Sequence, residues 1–334
     1  MTALRSAPRA LVYVQHLLGL GHLMRISRIA AALQQAGVET TVVQGGTPTR
    51  LVSMAQHAVI QLPPVKVDLS NMSQLLHENG SVFSETNKAQ RKQMLLDTLA
   101  HVQPDILLIE AFPFGRRQMR FELLPLLDAA RRMHVAVIAS SIRDILQVNR
   151  KPGRAEETVG LITSCFDLVL VHGEEAITPL SRTFPLAHQI RHKVVYTGMV
   201  GPIPVAQAPG MHAPDTPGGI VSAGGGAVGY ALLTAALGAY PLAARDAERW
   251  LVLTGPQLPV PQYEALVAQA ASLSSHIEIR RDVPDLASHL SGARLSISQA
   301  GYNTVADILA AGCRSVLVPF AGGEESEQSE RAGL

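Results

Sequence analysis

Two glycines and a histidine occur together in the segment GLGH, residues 19–22, where an apolar run gives way to a helical pattern. A glycine turn before a helix directs backbone N–H groups and the positive end of the helix dipole toward an anion. Gly19 and Gly21 therefore indicate either a phosphate-facing loop or only a tight turn. His22 would begin the helix, where the dipole favours the neutral imidazole that accepts a proton near neutral pH.

Two acidic residues, Glu110 and Asp144, fall at or just after the C-terminal ends of apolar runs. Active sites of α/β proteins collect at this edge of a parallel sheet, so both acids compete with His22 for the role of general base. Arg25 and Arg143 could bind an anionic acceptor or a leaving diphosphate. Surface salt bridges for the arginines and loop hydrogen bonds for the acids are the plain alternatives.

A second glycine cluster, GGGAVG at 224–229, follows an apolar run and precedes a helical pattern. It satisfies GxGxxG formally, but a dinucleotide site needs an acidic residue at the end of the next strand. That run, WLVLTG, ends in Thr254 and Gly255. The cluster therefore favours a diphosphate site over an NAD site, with a tight strand-to-helix turn as the alternative.

The elements that must position these residues are short apolar runs separated by helix-length segments. In the first part of the chain they are 11–15, 38–43, 105–110, 135–140, 166–173 and 194–198. A proline- and glycine-rich stretch follows, and the pattern restarts at residue 219. Such runs are typical of strands buried on both faces. We therefore expect two doubly wound α/β domains, 1–198 and 219–334, joined by a linker at 199–218.

Composition excludes several classes of protein. A formal net charge of +1 offers no large basic surface, so no nucleic-acid partner is expected. The two cysteines lie far apart, with no CxxC spacing, and no HExxH or DxD motif indicates a metal site. No apolar run is long enough for a transmembrane segment. These features predict a cytoplasmic protein, with peripheral membrane association left open.

The most specific segment is SISQAGYNTVADILAAGCRSVLVPFAGGEESEQSERA, residues 296–332. It resembles the nucleotide-sugar site of GT-B glycosyltransferases of the MurG type, which carry a family 28 C-terminal domain. The segments GLGH, LIEAFPFGRRQ, SIRDIL, LVHG and YTG resemble a bacterial branch of predicted glycosyltransferases in the same superfamily. The resemblance covers nearly the whole chain.

This resemblance implies two Rossmann-like domains facing each other across a cleft, with the acceptor on the N-terminal side. It implies an inverting, metal-independent transfer of a hexose or N-acetylhexosamine, with no cofactor. The donor would be a nucleotide-sugar, UDP-linked, and the acceptor is unidentified. A non-hydrolysing UDP-sugar 2-epimerase shares the fold, and a catalytically inactive nucleotide-sugar-binding protein is the other alternative.

The resemblance also assigns residues of the C-terminal domain to the donor. They are Gly224, Gly225, Gly226, Val283, Gly301, Asn303, Thr304, Asp307, Glu327 and Gln328. Asp307 stands where the family's Glu accepts hydrogen bonds from the ribose, and Glu327 with Gln328 replaces a paired Gln near the sugar. The plain alternatives are a capping box, with Thr304 as N-cap and Asp307 as its partner, and an exposed helical Gln328.

The chain stops at Leu334, soon after Gln328, whereas the superfamily usually continues through further helices. We therefore expect an early-ending version of the fold, with weaker closure of the cleft.

Overall fold

The computed structural model describes residues 7–17, 19–49, 52, 54, 56–68, 71, 74–147, 151–202, 217–225, 228–245, 247–283, 285–322 and 326–334. The chain divides into two units, Met1–Val200 and Gly201–Leu334. Each unit contains a parallel sheet with helices, so the predicted α/β class is confirmed. Most of the predicted linker, residues 203–216, lies outside the described residues.

The first unit contains nine of the strands in the described chain. They are β1 (Arg9–Val14), β2 (Glu39–Gln44), β3 (Ala58–Gln61), β4 (Lys66–Val67), β5 (Leu75–Leu76), β6 (Ile106–Glu110), β7 (Val137–Arg143), β8 (Leu168–His172) and β9 (Val194–Tyr196). Seven of them form a parallel sheet in the order β3-β2-β1-β6-β7-β8-β9, and β4 pairs antiparallel with β5. The helices are α1 (Gly21–Gln35), α2 (Glu85–Val102), α3 (Arg120–Arg132), α4 (Arg154–Cys165) and α5 (Ala187–Ile190).

Strand β1 shows why a strand at the centre of this sheet is an apolar run. Leu11 and Tyr13 belong to the hydrophobic cluster on one face, whereas Val12 and Val14 belong to the cluster on the other. Successive side chains of a strand point to opposite faces, so a strand covered on both faces must be apolar at every position. The uninterrupted apolar runs of the sequence follow from this double burial.

The register of the sheet brings polar residues to one edge. Glu110 at the end of β6 pairs with Ser141 of β7, and Arg143 of β7 pairs with His172 at the end of β8. Parallel strands present their C-terminal ends at the same edge, where α/β proteins place their ligands. The fold therefore gathers these residues where chemistry is expected.

The second unit has a smaller sheet of the same kind. Its strands are β10 (Gly219–Ser222), β11 (Trp250–Leu253), β12 (Ile277–Arg280), β13 (Leu295–Ser298) and β14 (Ser315–Leu317), in the order β12-β11-β10-β13-β14. Its helices are α6 (Tyr230–Ala243), α7 (Val260–Leu273), α8 (Leu286–Gly292), α9 (Tyr302–Ala311) and α10 (Glu327–Ala332). All strand pairs of this sheet are parallel.

The last glycine of GGGAVG permits a close approach between β10 and α6. A Cβ atom at Gly229 would lie 2.1 Å from the Cβ of Ala223, which follows β10 directly. We expect Gly229→Ala to lower the free energy of unfolding of the second unit by about 1–3 kcal/mol, because overpacking forces the helix away from the strand. Urea unfolding followed by fluorescence checks this, since Trp250, the single tryptophan, lies buried in β11.

Gly238 of the same helix is the matched control. A Cβ there would meet nothing within 4 Å, and the residue is exposed in the interior of α6. Gly238→Ala should stabilise by about 0.5–1 kcal/mol, because alanine loses less backbone entropy in a helix. Equal effects of the two substitutions would contradict the close approach.

Two parts of the sequence-based assignment need correction. Helix α9 begins at Tyr302 with Gly301 as its N-cap and without a side-chain cap, so the capping box proposed for Thr304 and Asp307 is wrong. Strand β3 and helix α2 were not predicted, although Ser84 and Asn87 form a capping box at the start of α2. In the described part of the chain, no helix is both long and apolar enough to cross a bilayer.

Candidate active site

The structure brings His22 and Glu110 into contact. His22 is the second residue of α1, and its Nδ1 lies 2.9 Å from Oε1 of Glu110 at the end of β6. The Glu110 side chain is fully buried, whereas the His22 side chain is 21% exposed. The pair therefore joins a buried carboxylate to an imidazole that a ligand can reach.

The surroundings of Glu110 determine which nitrogen of His22 carries the proton. Burial alone would raise the pKa of Glu110, but the charge of Arg25 and hydrogen bonds from His22 and Ser141 hold that pKa well below its usual range. An ionised carboxylate only accepts hydrogen bonds, so Nδ1 of His22 carries the proton and donates to Oε1 of Glu110 at 2.9 Å. Nη2 of Arg25 lies 3.1 Å from the same nitrogen, which is the longer of its two contacts. Arg25 donates to the same Oε1 atom, and no described residue hydrogen-bonds Nε2 of His22. Nε2 is therefore left with a free lone pair.

The imidazole of His22 is held in its neutral form. Burial, together with the charge of Arg116, lowers the pKa of His22 to about 3, and the hydrogen bond to Glu110 opposes both effects. The sequence predicted a neutral imidazole from the helix dipole. The structure assigns the shift mainly to desolvation.

This pKa predicts the pH dependence of turnover. The active form is unprotonated, and it is lost only as the pH falls through the lowered pKa. We expect kcat/KM, which reports the free enzyme, to show no acidic limb near pH 6.5. Initial rates between pH 5 and 8 at subsaturating donor and acceptor check this. A limb centred on the ordinary histidine range, absent from a His22 variant, would contradict the prediction.

A chain of hydrogen bonds extends the pair along the sheet edge. The Ser141 hydroxyl donates to Oε2 of Glu110 and lies 2.9 Å from Nε2 of His172. Nδ1 of His172 lies 2.7 Å from the Thr197 hydroxyl. Burial lowers the pKa of His172 to about 4, opposed by the charge of Glu110. These side chains orient the Glu110 carboxylate from behind.

None of Ser141, His172 and Thr197 was identified as a candidate from the sequence. Ser141 lies two residues before the end of β7, His172 ends β8 and Thr197 follows β9 directly, in the segments SIRDIL, LVHG and YTG. The signal that could have found them was a polar residue at the end of consecutive parallel strands.

Arg116 is a further residue that the sequence did not single out. It ends the loop after Glu110, and its Nε donates to the backbone oxygen of Gln15, 2.6 Å away. Ala111 and Arg116 have positive φ angles of 66° and 59°. Left-handed backbone costs a non-glycine residue about 1–2 kcal/mol, so the rest of the unit holds this loop in a strained form. Burial lowers the pKa of Arg116 to about 10.

The other candidates of the first unit have different surroundings. Asp144 is buried, and its Oδ1 accepts the N–H of Ile145 at 2.8 Å. The described contacts of His22 are with Glu110 and Arg25, and Asp144 is not among them. The charge of Arg143 lowers the pKa of Arg116. Gly19 is exposed just before α1. The described residues contain no group of three His, Cys, Asp or Glu side chains that could hold a metal ion.

In the second unit, the glycine cluster forms the turn from β10 to α6. Gly224 has a φ of 60°, which favours glycine, and its N–H donates to Oγ of Ser222 at 3.4 Å. The backbone oxygen of Gly225 accepts the N–H of Gln257. Gly226 lies outside the described residues. Helix α6 begins at Tyr230, five residues after Gly225, and a helix N-terminus after a glycine turn is the arrangement expected of an anion site.

The remaining donor candidates lie on α9, on α10 and in the loop before α8. Gly301, Asn303 and Thr304 are at the start of α9, and Asp307 is buried in its middle. Val283 packs partly buried against the hydrophobic cluster around Ile220 and Leu251.

Glu327 and Gln328 at the start of α10 already have protein partners. Glu327 is buried, and its Oε1 accepts Nη2 of Arg331 at 2.9 Å. Nη1 of Arg331 donates to the backbone oxygen of Ala300. Oε1 of Gln328 accepts the N–H of Phe320 at 3.1 Å. Both side chains therefore hold α10 in place. A contact between either side chain and a sugar would have to form beside these hydrogen bonds or replace them.

The second unit of the chain matches one known family model. Residues 222–333 match the glycosyltransferase family 28 C-terminal domain, which covers most of that unit. No curated protein matches the chain.

Solved structures share the fold of the whole chain. Acinetobacter baumannii MurG matches with 18% identity and a TM-score of 0.55, covering 98% of this chain and 82% of that one. TcCGT1 in complex with UDP matches with 12% identity and a TM-score of 0.58, covering 97% and 84%. The glycosyltransferase VinC in complex with DTDP matches with 16% identity and a TM-score of 0.51, covering 97% and 84%. The chain therefore has the GT-B fold of these glycosyltransferase structures, and residues 222–333 of its second unit match the family 28 C-terminal domain.

Proposed function

We propose that this protein is a glycosyltransferase that moves a sugar from a UDP-linked donor to an acceptor hydroxyl with inversion, and that His22 is the general base. The observation that carries the proposal is the contact between Nδ1 of His22 and the buried Glu110, which leaves Nε2 unprotonated and accessible. General-base catalysis needs such a lone pair within reach of the proton that it takes.

The proposed step follows from this geometry. Nε2 of His22 removes the acceptor proton as the acceptor oxygen forms a bond to the anomeric carbon. The bond from that carbon to the nucleotide diphosphate breaks on the opposite face, and its electron pair leaves with the diphosphate. Glu110 then faces an imidazolium, which its negative charge stabilises. Ser141 and His172 hold the carboxylate in this orientation.

We propose that the donor binds the second unit. The turn at Gly224 and Gly225, followed by α6, supports a diphosphate site because it supplies backbone N–H groups and a helix N-terminus. Gly301, Asn303, Thr304 and Asp307 would surround the nucleotide from α9. Because these backbone groups would neutralise the diphosphate charge, we propose that no metal ion takes part. The complexes of TcCGT1 with UDP and VinC with DTDP support a nucleotide donor.

A thermal-shift screen of UDP, GDP and TDP tests the donor. A nucleotide that binds only the folded chain stabilises it by about 2.7 kcal/mol at a hundredfold excess over its Kd. We expect the largest shift with UDP, and release of UDP from a UDP-sugar when an acceptor is present. Conversion of the sugar without acceptor would instead show a 2-epimerase. Binding without turnover would show a binding protein, and no shift with any nucleotide would overturn the proposal.

A further inference from the structure

Arg116 is a partly buried cation without a described carboxylate partner. Burial lowers its pKa to about 10, and its only described hydrogen bond runs from Nε to the backbone oxygen of Gln15. Buried arginines of the chain are paired, as Arg91 is with Glu122 and Arg331 with Glu327. Within the described chain no acidic side chain lies within ion-pair distance of Arg116. Removing a charge from water without a partner is costly, so buried charges are normally paired.

Charges of both signs act on Arg116. Its pKa is lowered by the charges of Arg143 and Arg25 and raised by that of Glu110. Glu110 already accepts hydrogen bonds from His22, Arg25 and Ser141. The oxygens of Glu110 are therefore already occupied by these three donors, and Glu110 forms no hydrogen bond with Arg116 among the described contacts.

We propose that Arg116 binds an anionic group of the ligand, a carboxylate or a phosphate, beside His22. Nε is fixed on Gln15, and the two terminal nitrogens remain to donate to an anion, the geometry in which a guanidinium binds carboxylate or phosphate with two parallel hydrogen bonds. The strained backbone at Arg116 supports this, because such strain persists where the surrounding structure and function demand it. The assignment of the anion to a substrate rests on the proposed function.

Anion binding would also act on His22. The charge of Arg116 disfavours protonation of His22. An anion that offsets this charge would make Nε2 more basic when substrate is bound, so His22 would become a stronger base only in the complex. Binding and proton transfer would then be coupled through one side chain.

Calorimetric titration of the full chain with inorganic phosphate, pyrophosphate and succinate tests the site. We expect Arg116→Gln to weaken at least one probe by about tenfold or more, since a charge-assisted bidentate contact is lost. Arg116→Lys should give an intermediate loss. Arg116→Asn is a second neutral variant, because asparagine tolerates the left-handed backbone better than most residues. Arg132→Gln, which removes an exposed arginine at the end of α3, should bind as the wild type does.

UDP distinguishes the two sources of the anion. If Arg116→Gln also weakens UDP, the anion is the donor's diphosphate. If UDP binds normally and the probe still binds the UDP-saturated protein, the anion belongs to the acceptor. Equal affinities of wild type and both neutral variants for all three probes would overturn the inference. Equal affinities of this kind are compatible with normal UDP binding and turnover by the wild type. If instead the proposed function is wrong, the wild type shows neither UDP binding nor turnover, while the Arg116 variants still bind the anion probes more weakly than the wild type.

A measurement on the unmodified chain gives an independent check. Saturation with the binding probe should raise the pKa of His22 in an NMR titration, with its resonance assigned by comparison with His22→Asn. An unchanged His22 pKa in the presence of a bound probe would place the anion elsewhere and overturn the inference.

Discussion

Replacing His22 with alanine should lower the rate of sugar transfer by about 10²–10⁴-fold, the usual contribution of a general base. The substitution removes a partly exposed imidazole whose Nε2 has a free lone pair, at the edge of the first sheet where Glu110 ends its strand. The affinity for UDP should stay the same, because we propose that the nucleotide binds the second unit. Steady-state rates with a UDP-sugar and calorimetric titration with UDP measure the two quantities separately.

His22→Asn and His192→Ala complete this experiment. Asparagine keeps a donor toward Glu110 without a basic nitrogen, so it should be as inactive as alanine. His192 is exposed, and its loss should leave turnover unchanged. Wild-type rates in both His22 variants would exclude His22 as the base. A parallel loss of UDP affinity would show that His22 acts in donor binding.

Much of this fold could be predicted because burial on both faces makes each strand a continuous apolar run. Strands β1, β6 and β8 were recognisable for that reason, and so were the positions at which they end. Since polar residues at those ends meet at one edge of the sheet, Glu110 could be chosen as a candidate before its contact with His22 was known.

The rest depends on contacts between segments far apart in sequence. Strand β3 lies at the sheet edge with partly exposed residues, so it lacks the apolar run that marks a buried strand. The sequence shows an arginine at position 116, but it cannot show that no carboxylate among the described residues lies at ion-pair distance from it. That depends on which side chains the fold places around Arg116. The N-cap of α9 was misplaced because Thr304 has a capping side chain, whereas Gly301 caps through its backbone conformation alone.

A buried ion pair between α2 and α3 predicts that one substitution will strongly lower the free energy of unfolding of the first unit. Arg91 of α2 and Glu122 of α3 are both fully buried, with Nε of Arg91 2.7 Å from Oε2 of Glu122. Tyr13 donates to Glu122, and Arg91 also donates to Oε1 of Gln15 at 2.6 Å. A Cβ at Gly45 would lie 1.9 Å from Nη2 of Arg91, so glycine there leaves room for the guanidinium.

Glu122→Ala should therefore lower the free energy of unfolding of the first unit by about 3–5 kcal/mol, because it leaves the Arg91 charge buried without its partner. The double variant Arg91→Met with Glu122→Leu should cost less than Glu122→Ala, since no charge then stays buried. Asp128→Ala breaks an exposed pair with Arg132 on the same helix and should cost under about 1 kcal/mol. Urea unfolding followed by far-ultraviolet circular dichroism measures all three. A double variant no more stable than Glu122→Ala would show that lost packing and hydrogen bonds, and not the uncompensated charge, dominate the cost.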